Sequence, residues 1–282
     1  MRTLLWAIVV LLLAGVAAGQ VTIAAAPPAS LERGYSQAYN LDFDAAQQEF
    51  STWQKQHPDD PLGPASEAAG LLFSELNRLG VLESQFFVKD SEFTGRPKLN
   101  PDPAVKKRFA AALQRAEQRA QQALGKDQKD TAALFAMALV YGLRADYAQL
   151  IEKRNLASLS YTKDGSAWAQ KLLAVAPDYY DAYLATGFSK YVIGSLSAPM
   201  RWLLHFGGFS GDKGEGIRDL QLTAEHGHLL APFARLLLAI AYLRQNDAGK
   251  ARQLLMGLRD EFPDNPLFSR ELARLDQAAA GK

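Results

Sequence analysis

The chain is 282 residues long, 48% hydrophobic and free of cysteine, with 31 Lys plus Arg against 30 Asp plus Glu and a net charge of +1. Without cysteine there are no disulfide staples, thiolate metal sites, cysteine nucleophiles or lipidated cysteine anchors. The even charge balance, with no long run of one sign, argues against a dedicated nucleic-acid surface, which needs clustered basic residues.

The N-terminus reads as a targeting segment. Met1, Arg2 and Thr3 give a short positive start, Leu4 to Ala14 is apolar, and small residues come next at Gly15, Ala17, Ala18 and Gly19. This is the pattern of a secretory signal cleaved near Ala18 or Gly19, and residues 1–26 are assigned to it. An uncleaved anchor is the alternative, because apolar character resumes over 21–26. The run before Gln20 is short against the roughly 20 residues of a membrane span, which favours cleavage. In both cases the folded part is expected outside the cytoplasm, in the periplasm or cell envelope. It touches a membrane only if the segment is retained. Pro27, Pro28 and Ala29 read as a linker, and 30–282 as a single helical domain.

From Ser30 onward apolar residues recur at spacings of three and four, the helical period. Val105, Phe109, Leu113, Ala116, Ala120 and Leu124 form one such stripe; the stretches Leu134 to Ile151 and Phe233 to Leu243 form others. The chain is expected to be all-α. Two windows share one spacing: Gly34, Ala46, Phe50, Pro58 near the start, and Ala239, Ala251, Leu255, Pro263 near the end. A small residue in a first helix lets a second approach. An alanine in the second sits at the crossing, the large residue one turn on fills the gap beside it, and the proline ends the pair. The residues after each proline agree too. Pro58-Asp59-Asp60-Pro61 and Pro263-Asp264-Asn265-Pro266 are near copies in which Asp60 and Asn265 can cap the next helix, and Asn100-Pro101-Asp102-Pro103 repeats the device.

These windows resemble tetratricopeptide repeats, antiparallel helix pairs stacked into a right-handed superhelix. The resemblance implies an α-solenoid and, for function, a surface that holds another protein. A middle stretch is similar but irregular: Trp168, Leu172, Leu173, Ala176 and Pro177 resemble the end of one repeat, and Tyr183, Gly187 and Tyr191 the start of the next. Lys153 and Pro199 stand where the strict spacing wants small residues, so altered helix lengths are expected there. The run Trp202 to Leu275 also resembles helical-repeat proteins of bacterial envelopes with no assigned activity. More distantly it is similar to the eukaryotic family that includes the yeast inclusion-body clearance protein. Both similarities imply an adaptor.

The segment from His205 to Gly216 is rich in glycine. A phosphate-binding loop would need Ser or Thr after Lys213, and Gly214 stands there. Two readings remain: an exposed helix start that meets an anion, or an inter-repeat loop with Asp212 as cap and Glu215 three residues on. His205, His226 and His228 lie within this part of the chain, which keeps a metal- or small-ligand site, or an enzyme, open as the alternative function. His226 and His228 at i and i+2 diverge on a helix, so a turn at Gly227 with a helix C-terminus beside it is the simpler placement. The stretch Phe86 to Pro103 is a second irregularity, read as an insertion or a functional loop. No triad, carboxylate pair or elbow motif is present, and no enzyme activity, metal or cofactor is implied.

The primary expectation is a non-enzymatic scaffold that takes a peptide or helix in the solenoid groove. Aromatic residues crowd the centre of the chain, and most are expected in the core. Candidate partner-binding residues are Phe209, Lys213, Tyr180 and Tyr183, with Phe209 either meeting a partner or turning inward to cover an apolar patch.

Overall fold

A computed structural model describes residues 30–82, 98–197 and 210–280. Among these the regular structure is helical throughout: α1 (Ser30–Tyr39), α2 (Phe43–Gln56), α3 (Leu62–Arg78), α4 (Pro103–Lys126), α5 (Thr131–Asp146), α6 (Asn155–Val175), α7 (Tyr183–Gly194), α8 (Lys213–His226), α9 (Ala231–Arg244), α10 (Ala248–Glu261) and α11 (Pro266–Ala280). Each packs against the next in sequence, giving an all-α solenoid of tetratricopeptide-like helix pairs. A π-helical turn (Tyr147–Ile151) follows α5, and a 3-10 turn (Tyr180–Ala182) precedes α7. No helix among the described residues is long and apolar enough to cross a membrane.

The repeated spacing is the crossing geometry it implied. Ala46 and Phe50 of α2 have 0% exposure, and the Phe50 ring fills the space that a side chain at Gly34 would need. In the last pair Ala239, Ala251 and Leu255 are buried together in one cluster. Pro58 and Pro263 follow the ends of α2 and α10, and Asp102 caps α4 by accepting from the Ala104 and Val105 amides at 2.7 and 3.1 Å. The stripe on α4 is buried at Phe109, Leu113, Ala116 and Ala120.

In the irregular middle the partners of the small residues differ from the strict spacing. Gly165 crosses α5 at Ala138 and Gly142, not at Lys153, because α6 runs 21 residues and the π turn lengthens the pair. Gly187 meets α8 at Gly216: a Cβ on Gly187 would lie 2.9 Å from the Gly216 carbonyl. Gly216 therefore serves helix packing. Asp212 is the cap of α8, accepting from the Glu215 amide at 2.8 Å, while the Glu215 carboxylate lies 3.7 Å from Lys190.

The two ends of the solenoid touch. Asn265 donates through Nδ2 to the Tyr39 carbonyl at 2.7 Å, and Asp264 donates its amide to Asn40 Oδ1 at 3.2 Å. The Tyr39 ring packs on Phe262 with centroids 5.3 Å apart, and its hydroxyl donates to the Leu229 carbonyl at 2.9 Å. Phe73 of α3 meets Phe233 of α9 edge to face at 5.4 Å. The first pairs thus close on the last, and the concave face becomes the wall of a lumen.

Candidate functional site

The lumen has a volume of about 690 Å³, within the range of roughly 300–1,000 Å³ typical of ligand sites. Its wall draws on all the helices except α4 and α8, with Leu139, Leu184, Phe188, Leu236 and Ile240 among the apolar side chains. These positions follow from the repeat. The first helix of each pair is apolar on two sides, one against its partner and one toward the axis of the superhelix, so α5 and α9 are apolar nearly all round. The inward residues are half-buried: Leu139, Leu184 and Leu236 pack against the core on one side and face the lumen on the other.

Two carboxyl groups on this wall have opposite surroundings. Asp181, in the 3-10 turn, accepts from the backbone amides of His228, Leu229 and Leu230 at 3.0, 3.1 and 3.0 Å. It thereby holds the turn that leads into α9 from a distant part of the chain. Burial raises its pKa, and the three amides oppose that. Asp146, the last residue of α5, has a carboxyl with no hydrogen-bond or ion-pair partner among the described residues. The residue is half-buried and lines the lumen. Burial alone pushes its pKa up from the ordinary 3.8 to about 7.

The residues expected to bind a partner lie elsewhere. Tyr180 and Tyr183 are half-buried and stacked at 6.3 Å, with His226 4.8 Å from Tyr180 and the Tyr183 hydroxyl donating to the Pro177 carbonyl at 3.1 Å. Neither lines the lumen; Ala182, Leu184 and Phe188 around them do. Lys213 begins α8 with its ammonium 5.8 Å from the Tyr191 ring centroid, also away from the lumen. Phe209 and His205 lie outside the described residues. His226 ends α8 and Gly227 caps it, as the turn reading expected. Among the described residues no three His, Asp or Glu side chains converge as a metal site.

Asp146 and the leucines around it were missed by sequence reasoning. A signal was present: Asp146 is the single carboxylate in the largely apolar stretch Leu134 to Ile151, whose other charged residue is Arg144.

The class defined by these features is a closed helical-repeat solenoid with an apolar lumen. No family model matches the sequence, and no curated protein matches it. Among solved structures, the chain is similar to TTC0263, a thermophilic TPR protein of Thermus thermophilus. That likeness has 16% identity and a TM-score of 0.45, over 87% of this chain and 96% of that one. It is a loose one.

Proposed function

We propose that this protein is a non-enzymatic binding scaffold of the periplasm or cell envelope, whose lumen receives the apolar face of a helix carried by a partner protein. The observation that supports the reading is the ring of half-buried leucine, isoleucine and phenylalanine side chains facing the lumen. Covering such a surface gains about 25 cal/mol per Å². Few side chains on the wall can bond a peptide backbone, so an extended occupant would strand its amides, whereas a helix satisfies its own. Export is supported by the positive start and apolar run of residues 1–19.

A photo-crosslinking amino acid placed at Ile240, in the lumen, should give protein-sized adducts in cells. The same group at Gln122, exposed on α4 and away from the lumen, should give none. Adducts only from Gln122 would overturn the lumen as the binding surface. Recovery of intact Met1 from the envelope fraction would replace cleavage with the anchor reading.

A further inference from the structure

Asp146 sits where α5 gives way to the π-helical turn, a distortion that often marks functional positions. A half-buried carboxyl without a partner on an apolar wall is unfavourable, and its persistence there points to a ligand that supplies the missing charge. The other ionic side chains on the described wall are Arg270 of α11, the pair Arg274 and Glu271, which bond each other at 3.2 Å, and Asp181, held by its three amides. The same stretch of wall continues through Gln149 and Leu150 to Asn155 and Leu156 at the start of α6. Leu156 is 84% exposed, so the apolar strip runs out of the lumen onto the surface. An occupant confined to the lumen would leave that leucine in water; a helix entering from outside covers it.

We propose that the partner helix carries one lysine on its apolar face and that its ammonium pairs with the Asp146 carboxylate. This rests on the reading of the lumen as a helix site. Lysine fits better than arginine here. Its four-carbon stem crosses an apolar wall, and its compact charge matches a single carboxylate, whereas a guanidinium would bring five donors to a wall with few acceptors.

The test uses the full chain and three fluorescent 16-residue helical peptides of leucine and glutamine. They differ only at one central apolar-face position, which is lysine, norleucine or glutamate. The lysine peptide should bind about tenfold more tightly than the norleucine peptide, the worth of one charge-assisted bond. Asp146→Asn, isosteric and neutral, should bring the two within about twofold of each other. Independently of any variant, carbodiimide coupling should join the peptide lysine to Asp146 and not to Glu271, as mapped by mass spectrometry. Equal binding of all three peptides, or coupling at another carboxylate, overturns the lysine assignment and leaves the lumen reading intact. Binding of none overturns the lumen reading itself. Dodecylammonium is the fourth probe: if it binds more tightly than the lysine peptide with the same dependence on Asp146, the occupant is a small amphiphile, and the assignment to a partner helix is overturned.

Discussion

Replacing Asp146 by asparagine separates the electrostatics of the lumen from its shape. The parent carboxyl has a pKa of about 7 when folded and an ordinary value near 3.8 when the chain unfolds. Between these values the folded state binds more protons than the unfolded one, so stability falls as pH rises through that window. It is highest below pH 3.8 and has lost this contribution above pH 7. At about 1.4 kcal/mol per pH unit the full span is worth about 4 kcal/mol, an upper figure because any water entering the lumen reduces it. Asparagine keeps the shape and cannot ionise. Parent and variant should therefore agree to within about 1 kcal/mol at pH 4, and the variant should be more stable by about 2–4 kcal/mol at pH 8. In calorimetric scans at about 2 °C per kcal/mol for a large domain, the pH 8 gap is about 4–8 °C. Other carboxylates titrate in both proteins and cancel in the difference. Parallel curves from pH 4 to 8 would show the Asp146 carboxyl to be well hydrated, which refutes the reasoning.

Other substitutions report on packing and capping, read by urea unfolding. Ala46→Leu and Ala251→Leu should each overpack a helix crossing at a cost of about 1–3 kcal/mol; no loss in either would contradict the repeat register. Asp181→Ala frees the amides of His228, Leu229 and Leu230 and should cost about 2 kcal/mol or more, whereas an effect below about 0.5 kcal/mol would mean that water replaces it. Glu75→Ala should cost about 3 kcal/mol, because the nearly enclosed Glu75 carboxylate bonds both Arg78 and the Asp102 amide, tying the end of α3 to the start of α4.

The sequence carried the architecture because a repeat states its own geometry. Gly34, Ala46 and Phe50 matched Ala239, Ala251 and Leu255 in spacing, and the structure places each set at one crossing. Where the pair is lengthened, as at Gly165, the rule failed locally since spacing along the chain no longer equals spacing in space. The site was harder to see. Tyr180, Tyr183 and Lys213 attracted attention as aromatic and charged residues in a crowded region, yet the lumen is built from leucines that look like ordinary core. An inward-facing leucine and a packed leucine have the same local pattern, and only the curvature of the whole array distinguishes them. Asn265 shows the same limit. Its near copy Asp60 bonds Trp53 of its own pair at 2.7 Å, while the amide of Asn265 donates to Tyr39 at the other end of the chain. The change from carboxylate to amide supplied the donor. Its meaning required knowing that the ends meet.

That meeting also alters how the chain comes apart. A linear repeat array has only nearest-neighbour interfaces, so its terminal units fray and unfolding proceeds in steps. Here Tyr39 and Asn265 join residues that are 226 positions apart, so neither terminal pair can detach without breaking contacts at both ends of the chain. Melting should be more concerted than in an open array of similar length, with amide hydrogen exchange in α1 and α11 slowed together. Forming that junction requires closing nearly the entire chain into one loop, an entropic penalty that grows only slowly with length. Its contacts, being the least local, should be among the last to form in folding. Cutting the junction with Asn265→Asp, which turns a carboxylate toward the Tyr39 carbonyl, should therefore speed unfolding while leaving the folding rate almost unchanged.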